Sequence, residues 1–121
     1  MKHKKKIIFL VIIAILVFFF IKNGDSQPSK YDNFAQCLTD KGAIFYGSFQ
    51  CIHCQNQKEL FGSSIKKINY VECGPLNQPP NTVCLKARVE AYPTWFIGEA
   101  KYTGVQSLER LGNLTNCELP N

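Results

Sequence analysis

Cys51 and Cys54 stand three residues apart in Cys51-Ile52-His53-Cys54, and that spacing places both sulfurs on one face where a helix begins. A disulfide can close there with little rearrangement. The unpaired N–H groups and positive dipole end of a helix N-terminus stabilise a thiolate at the first position. Cys51 is therefore the expected nucleophile, and Cys54, deeper in the helix, the thiol that resolves a mixed disulfide. His53 lies between them and adds a potential positive charge beside the Cys51 thiolate. Stabilising the reduced form makes the couple a stronger oxidant. The same pattern is half of many zinc sites. Its partner there would be a second close pair, but Cys73 and Cys84 have ten residues between them across a proline-rich loop. A purely structural Cys51–Cys54 bridge would close too short a loop to remove much unfolded-state entropy. Redox use is the expectation, with no metal and no cofactor assigned.

The flanking segments decide whether the pair is positioned for that chemistry. Ala43 to Phe49 is aromatic and apolar enough for a buried strand and runs directly into Cys51. A helix from Cys51 should end near Gly62, and Ile68 to Glu72 reads as a second strand. Strand, helix and strand then form one crossover unit, with Cys51 at the strand end where function gathers in open α/β sheets. Upstream, Phe34, Cys37 and Leu38 recur at helical spacing within Tyr31 to Asp40, and Gly42 is placed to stop that helix. Downstream, a short helix is expected over Val83 to Val89 and a strand over Thr94 to Ile97. Gly98-Glu99 suits a two-residue hairpin turn into a return strand over Ala100 to Thr103. Ser107 can cap a last helix through Leu108, Leu111 and Leu114.

Four of the six cysteines lie outside the pair, and three pairings among them are open. Cys73 and Cys84 flank one loop and are expected to bridge it; Cys37 is separately expected to pair with Cys117 and tie the first helix to the C-terminus, a choice that sequence alone does not make. If Cys73–Cys84 exchanged readily with thiols, it would instead be a second redox pair relaying electrons.

Of the fourteen basic residues, Lys2, Lys4, Lys5, Lys6 and Lys22 flank the apolar run Ile7–Ile21, and the remaining nine balance nine acidic residues. Without a basic face the folded part offers no footprint for nucleic acid. At ~1.5 Å per residue the fifteen apolar residues cover roughly 22 Å, against about 30 Å of hydrocarbon, a difference that flanking lysines can meet by snorkelling. A cleaved secretory signal is the competing reading. The bulky Phe18-Phe19-Phe20-Ile21 lacks the small residues a signal peptidase requires, so retention is expected. The expected layout is a membrane anchor over 1–23, a polar tether over 24–30 and one domain over 31–121. Lysines on the cytoplasmic side would place that domain beyond the membrane, where cysteines meet oxidising conditions.

A set of motifs in order carries a resemblance: Cys37-Leu38-Thr39, Tyr46-Gly47, Cys51-Ile52-His53-Cys54-Gln55, Gln57-Lys58, Phe61-Gly62, Tyr70-Val71-Glu72-Cys73, Tyr92-Pro93-Thr94-Trp95 and Gly104-Val105-Gln106. From about Tyr31 to Cys117 the chain resembles the thioredoxin-like domain found fused to bacterial and plant homologues of vitamin K epoxide reductase. The resemblance implies an α/β thioredoxin-like fold, a small central sheet flanked by helices; the apolar run Ile7–Ile21 adds the expectation of a single N-terminal transmembrane helix before it. It implies a redox-active Cys51/Cys54 pair faced by a cis peptide before Pro93, with the Tyr92 backbone free to pair with an extended substrate. It also implies exchange with exported protein thiols and disulfides, and electron transfer to a quinone-reducing membrane protein, expected as a separate partner. The alternatives are a reductase or isomerase kept reduced by a transmembrane donor, and a disulfide-stapled binding module without turnover. Thioredoxins proper carry a buried acid six residues before the first active cysteine; Phe45 stands there.

Overall fold

The N-terminal apolar run forms helix α1 (Lys2–Lys22) in the computed structural model, which describes residues 1–22 and 28–121. This helix buries no residue. No helix among the described residues is long and apolar enough to cross a membrane, which corrects the expected transmembrane anchor and single-pass topology. The physical reason is length: the apolar stretch is fifteen residues, and any eighteen-residue stretch of α1 includes at least three lysines. Snorkelling would have to cover too large a shortfall. Most of the expected tether, 24–27, lies outside the described residues.

Phe34, Ala35 and Leu38 form the buried stripe of α2 (Asp32–Asp40), whose end is followed by Gly42 at φ +81°. Strand β1 (Ile44–Gly47) then leads through a turn into α3 (Ile52–Phe61), and a 3-10 segment (Gly62–Lys67) returns the chain to β2 (Tyr70–Glu72). Helix α4 (Thr82–Lys86) precedes the hairpin of β3 (Thr94–Ile97) and β4 (Ala100–Thr103), and α5 (Leu108–Thr115) closes the fold. Gly98 turns the hairpin at φ +61°. The Ser107 hydroxyl accepts the Arg110 N–H at 3.1 Å and so caps α5. The sheet order is β2-β1-β3-β4, with β1 parallel to β2 and antiparallel to β3. The α/β class thus holds, in a four-stranded sheet with helices around it.

Successive strand residues point to opposite faces, and β1 divides the core accordingly. Phe45 joins Phe34, Leu38, Phe61, Trp95 and Leu111 in the larger cluster, while Tyr46 joins Cys73, Cys84 and Val89 in the smaller. Phe45 stacks on Trp95 with ring centroids 5.0 Å apart. Such stacking contributes about 0.5–1.5 kcal/mol beyond area burial. Three boundaries differ from the sequence reading. Strand β1 stops at Gly47 because Ser48 to Gln50 form a turn in which the Cys51 N–H donates to the Ser48 carbonyl. Strand β2 starts late because the Ile68 N–H closes the 3-10 segment on Ile65. Helix α4 ends early because Arg88 takes φ +55°.

Candidate active site

Ser48, Phe49 and Gln50 connect β1 to α3, and each is tied across to the chain at or beyond the end of β2. The Ser48 hydroxyl donates to the Gly74 carbonyl at 2.6 Å, the Phe49 N–H donates to Glu72 at 3.1 Å, and Gln50 accepts the Leu76 N–H at 3.0 Å. The turn is therefore held before the helix begins. Cys51 comes next as the N-cap of α3, and its sulfur accepts the Cys54 N–H at 3.4 Å. A sulfur in that position takes up a donor that the helix leaves unpaired.

The two free thiols are unlike each other. Cys51 keeps 7% of its surface, whereas Cys54 has none. Burial, and then its hydrogen bond with the Cys51 thiol, push Cys54 up to about 12. It stays a thiol until the environment changes. His53 is exposed on α3 between them. The Tyr92–Pro93 peptide is cis, Pro93 is fully buried, and the Cys51 thiol donates to the Tyr92 carbonyl at 3.7 Å. Cys51, Cys54, Tyr92 and Pro93 thus meet at one place, with His53 at its rim.

The other four cysteines stand apart from this centre. Cys73 is bonded to Cys84 and Cys37 to Cys117, over sequence separations of 11 and 80. A bonded Cys73–Cys84 cannot complete a zinc site with Cys51 and Cys54. With 1% and 0% of their surfaces exposed, Cys73 and Cys84 also leave no path for an attacking thiolate, which argues against a second exchanging pair.

Several polar residues complete the site without a role that the sequence alone assigns. Gln57, fully buried, accepts the Trp95 indole N–H at 3.0 Å and the Gln106 N–H at 2.7 Å, and donates to the Gln106 carbonyl at 3.0 Å. It fastens α3 to β3 and to the loop after β4. The signal in the sequence is a glutamine three residues beyond Cys54, on the face turned inward. Glu72 accepts from the Tyr70 hydroxyl at 2.6 Å and from the N–H groups of Phe49 and Gly74. Burial alone would raise the Glu72 carboxyl, but those donors and the charge of Lys58 outweigh it and hold the group below its ordinary value. Burial, then the Glu72 bond, push Tyr70 far up, so its hydroxyl stays a donor.

No protein-family model matches the chain. Over 90 residues, 70% of its length, the chain is 39% identical to the thiol-disulfide oxidoreductase LTO1 of Arabidopsis thaliana. The matched stretch covers 24% of that relative, so the chain spans about a quarter of it. The activity in that relative's name and the two free thiols at the head of α3 concern the same chemistry, exchange between thiols and a disulfide.

Proposed function

We propose that this chain is a thiol:disulfide oxidoreductase of an oxidising compartment, exchanging disulfides with exported proteins through Cys51 and Cys54. The observation that carries the reading is the asymmetry of the two thiols, one partly open at a helix N-terminus and one sealed behind it. In the oxidising direction a substrate thiolate attacks Cys51 of the Cys51–Cys54 disulfide. Cys54 leaves as a thiolate and takes up a proton. A second substrate thiolate then attacks the substrate sulfur of the mixed disulfide, and Cys51 leaves. The substrate gains a disulfide, and its two electrons rest on Cys51 and Cys54. A quinone-reducing membrane protein resembling vitamin K epoxide reductase is the proposed acceptor, on the motifs shared with domains fused to such proteins.

Two disulfides in so short a chain favour an oxidising setting. Apolar side chains on the surface favour unfolded polypeptide as substrate: Phe49 and Ile52 flank Cys51 and are 56% and 66% exposed, and Leu76 is held nearby through Gln50. An extended segment laid there would reach the Tyr92 backbone by strand-like pairing.

The reduction potential of the Cys51/Cys54 couple tests direction. A value near about −120 mV, that of strong protein oxidants, is expected, and one near about −270 mV would assign the chain to reductases. His53→Ala should shift the couple by up to roughly 30 mV toward the reducing side, because removing a favourable neighbour of the thiolate weakens the reduced state. Equilibration with a glutathione buffer measures both, and an unmoved potential in the variant would discard the role of His53.

A further inference from the structure

Cys54 must carry charge each time a disulfide at Cys51 opens or closes, yet it is the more deeply buried of the pair, with 0% of its surface exposed against 7% for Cys51. Phe45, on the strand that leads to the pair, stacks on Trp95 and offers no polar group. The polar groups lie instead on the neighbouring strand. A side-chain carbon at Gly47 would stand 3.0 Å from Cys54 Sγ, 3.0 Å from Tyr70 Cε2 and 3.3 Å from the Tyr70 hydroxyl. Because glycine has none, the sulfur and the phenol face each other across that space. The parallel register sets Gly47 beside Glu72, whose carboxylate holds the Tyr70 hydroxyl. Lys58 lies one helical turn beyond Cys54 on the same face. Its ammonium sits over the Tyr70 ring, 3.9 Å from the centroid.

We propose that Lys58, docked on the Tyr70 ring that Glu72 fixes in place, is a positioning residue whose charge stabilises the Cys54 thiolate during exchange. This rests on the reading of Cys51 and Cys54 as an exchanging pair. Around Cys54 stand Cys51 and Lys58 from α3, Tyr70 from β2 with Glu72 behind it, and Tyr92 ahead of β3. Lys58 is the cation of that set, and its charge works with a hydrogen bond from the Ser48 backbone against the effect of burial on Cys54. Tyr70 stays neutral, so it acts as a seat for the ammonium and not as a base.

Reaction of the reduced full chain with oxidised glutathione separates the two cysteines. Cys51 thiolate attacks one glutathione sulfur and releases one glutathione thiolate, at a rate that scales with glutathione concentration. Cys54 then loses its proton to solvent, and its thiolate attacks Cys51 Sγ. The Cys51–Cys54 bond forms, the second glutathione thiolate leaves, and two electrons have passed to glutathione. This second phase is independent of concentration. In Lys58→Met the second phase should slow roughly 10- to 100-fold, the effect of losing an opposite charge near an ionising group. The first phase should be unchanged, and Lys58→Arg should restore the second. A general structural fault would slow both phases alike. The proposal is overturned if Lys58→Met leaves the second phase unchanged, if both phases slow together, or if Lys58→Arg is as slow as Lys58→Met. If the unmodified chain shows no first phase, the exchanging-pair reading fails and takes this one with it.

Discussion

Cys51→Ala protein should exchange no disulfides above background, while Cys54→Ala protein should accumulate substrate bound through Cys51. The expected loss in the first variant reflects the one free thiol left to it. Cys54 is sealed from solvent and its thiol is pushed up to about 12, so its thiolate is scarce at pH 7. Removing Cys51 takes away two causes of that elevation, its hydrogen bond and its charge, and leaves burial, the largest, in place. A fall of at least about three orders of magnitude in exchange rate is therefore expected. In Cys54→Ala the nucleophile, which keeps 7% of its surface, stays at the head of α3 but loses the thiol that displaces it. Each encounter then stops at the mixed disulfide. Acid quenching and non-reducing mass spectrometry read both results. Adducts on Cys54 in Cys51→Ala protein, with none on Cys51 in the other variant, would reverse the roles.

Local pattern decided which parts of this structure were legible. Ser107 before Leu108, and Gly98 between two alternating runs, encode a cap and a turn within a few residues, and α5, β3 and β4 lie where those signals put them. The 3-10 segment after Gly62 has no such signal; Gly62 marks the end of α3 but does not encode the tighter turns beyond it. At the N-terminus, hydropathy pointed to a span and length did not, and the fifteen-residue run of Ile7–Ile21 fell short for the reason its own arithmetic contained. The surroundings of Cys54 were hidden for a different reason. Tyr70 and Glu72 reach the site only through the register of β2 on β1, and Gln57 only through a loop 49 residues away. Their types were visible in the sequence, but their meeting depends on tertiary packing, which no short spacing records.

Loss of Cys37–Cys117 should cost the fold more than loss of Cys73–Cys84. The chain-entropy estimate is ~4.5 kcal/mol for the bridge spanning 80 residues and ~2.8 kcal/mol for the one spanning 11. Against this order stands packing, because Cys73 and Cys84 are both buried with Tyr46 and Val89, so removing them also loosens the smaller core. Denaturant unfolding of Cys37→Ala/Cys117→Ala and of Cys73→Ala/Cys84→Ala separates the two contributions. The long bridge should lower stability the more, and the reverse order would show that packing outweighs loop entropy here. Either bridge is a large share of the about 5–15 kcal/mol that holds a small domain folded. Reducing both at once should unfold most of the chain at 37 °C. On the proposed function the consequence reaches the chemistry, because Cys51 and Cys54 would cycle in a medium that leaves the other two bonds closed. Stable structural disulfides resist the glutathione pool at potentials below about −300 mV, whereas an exchanging pair must titrate well above that. The same chain therefore has to hold two kinds of disulfide far apart in potential. Burial achieves this for Cys73–Cys84, and partial exposure at the head of α3 sets Cys51 apart from it.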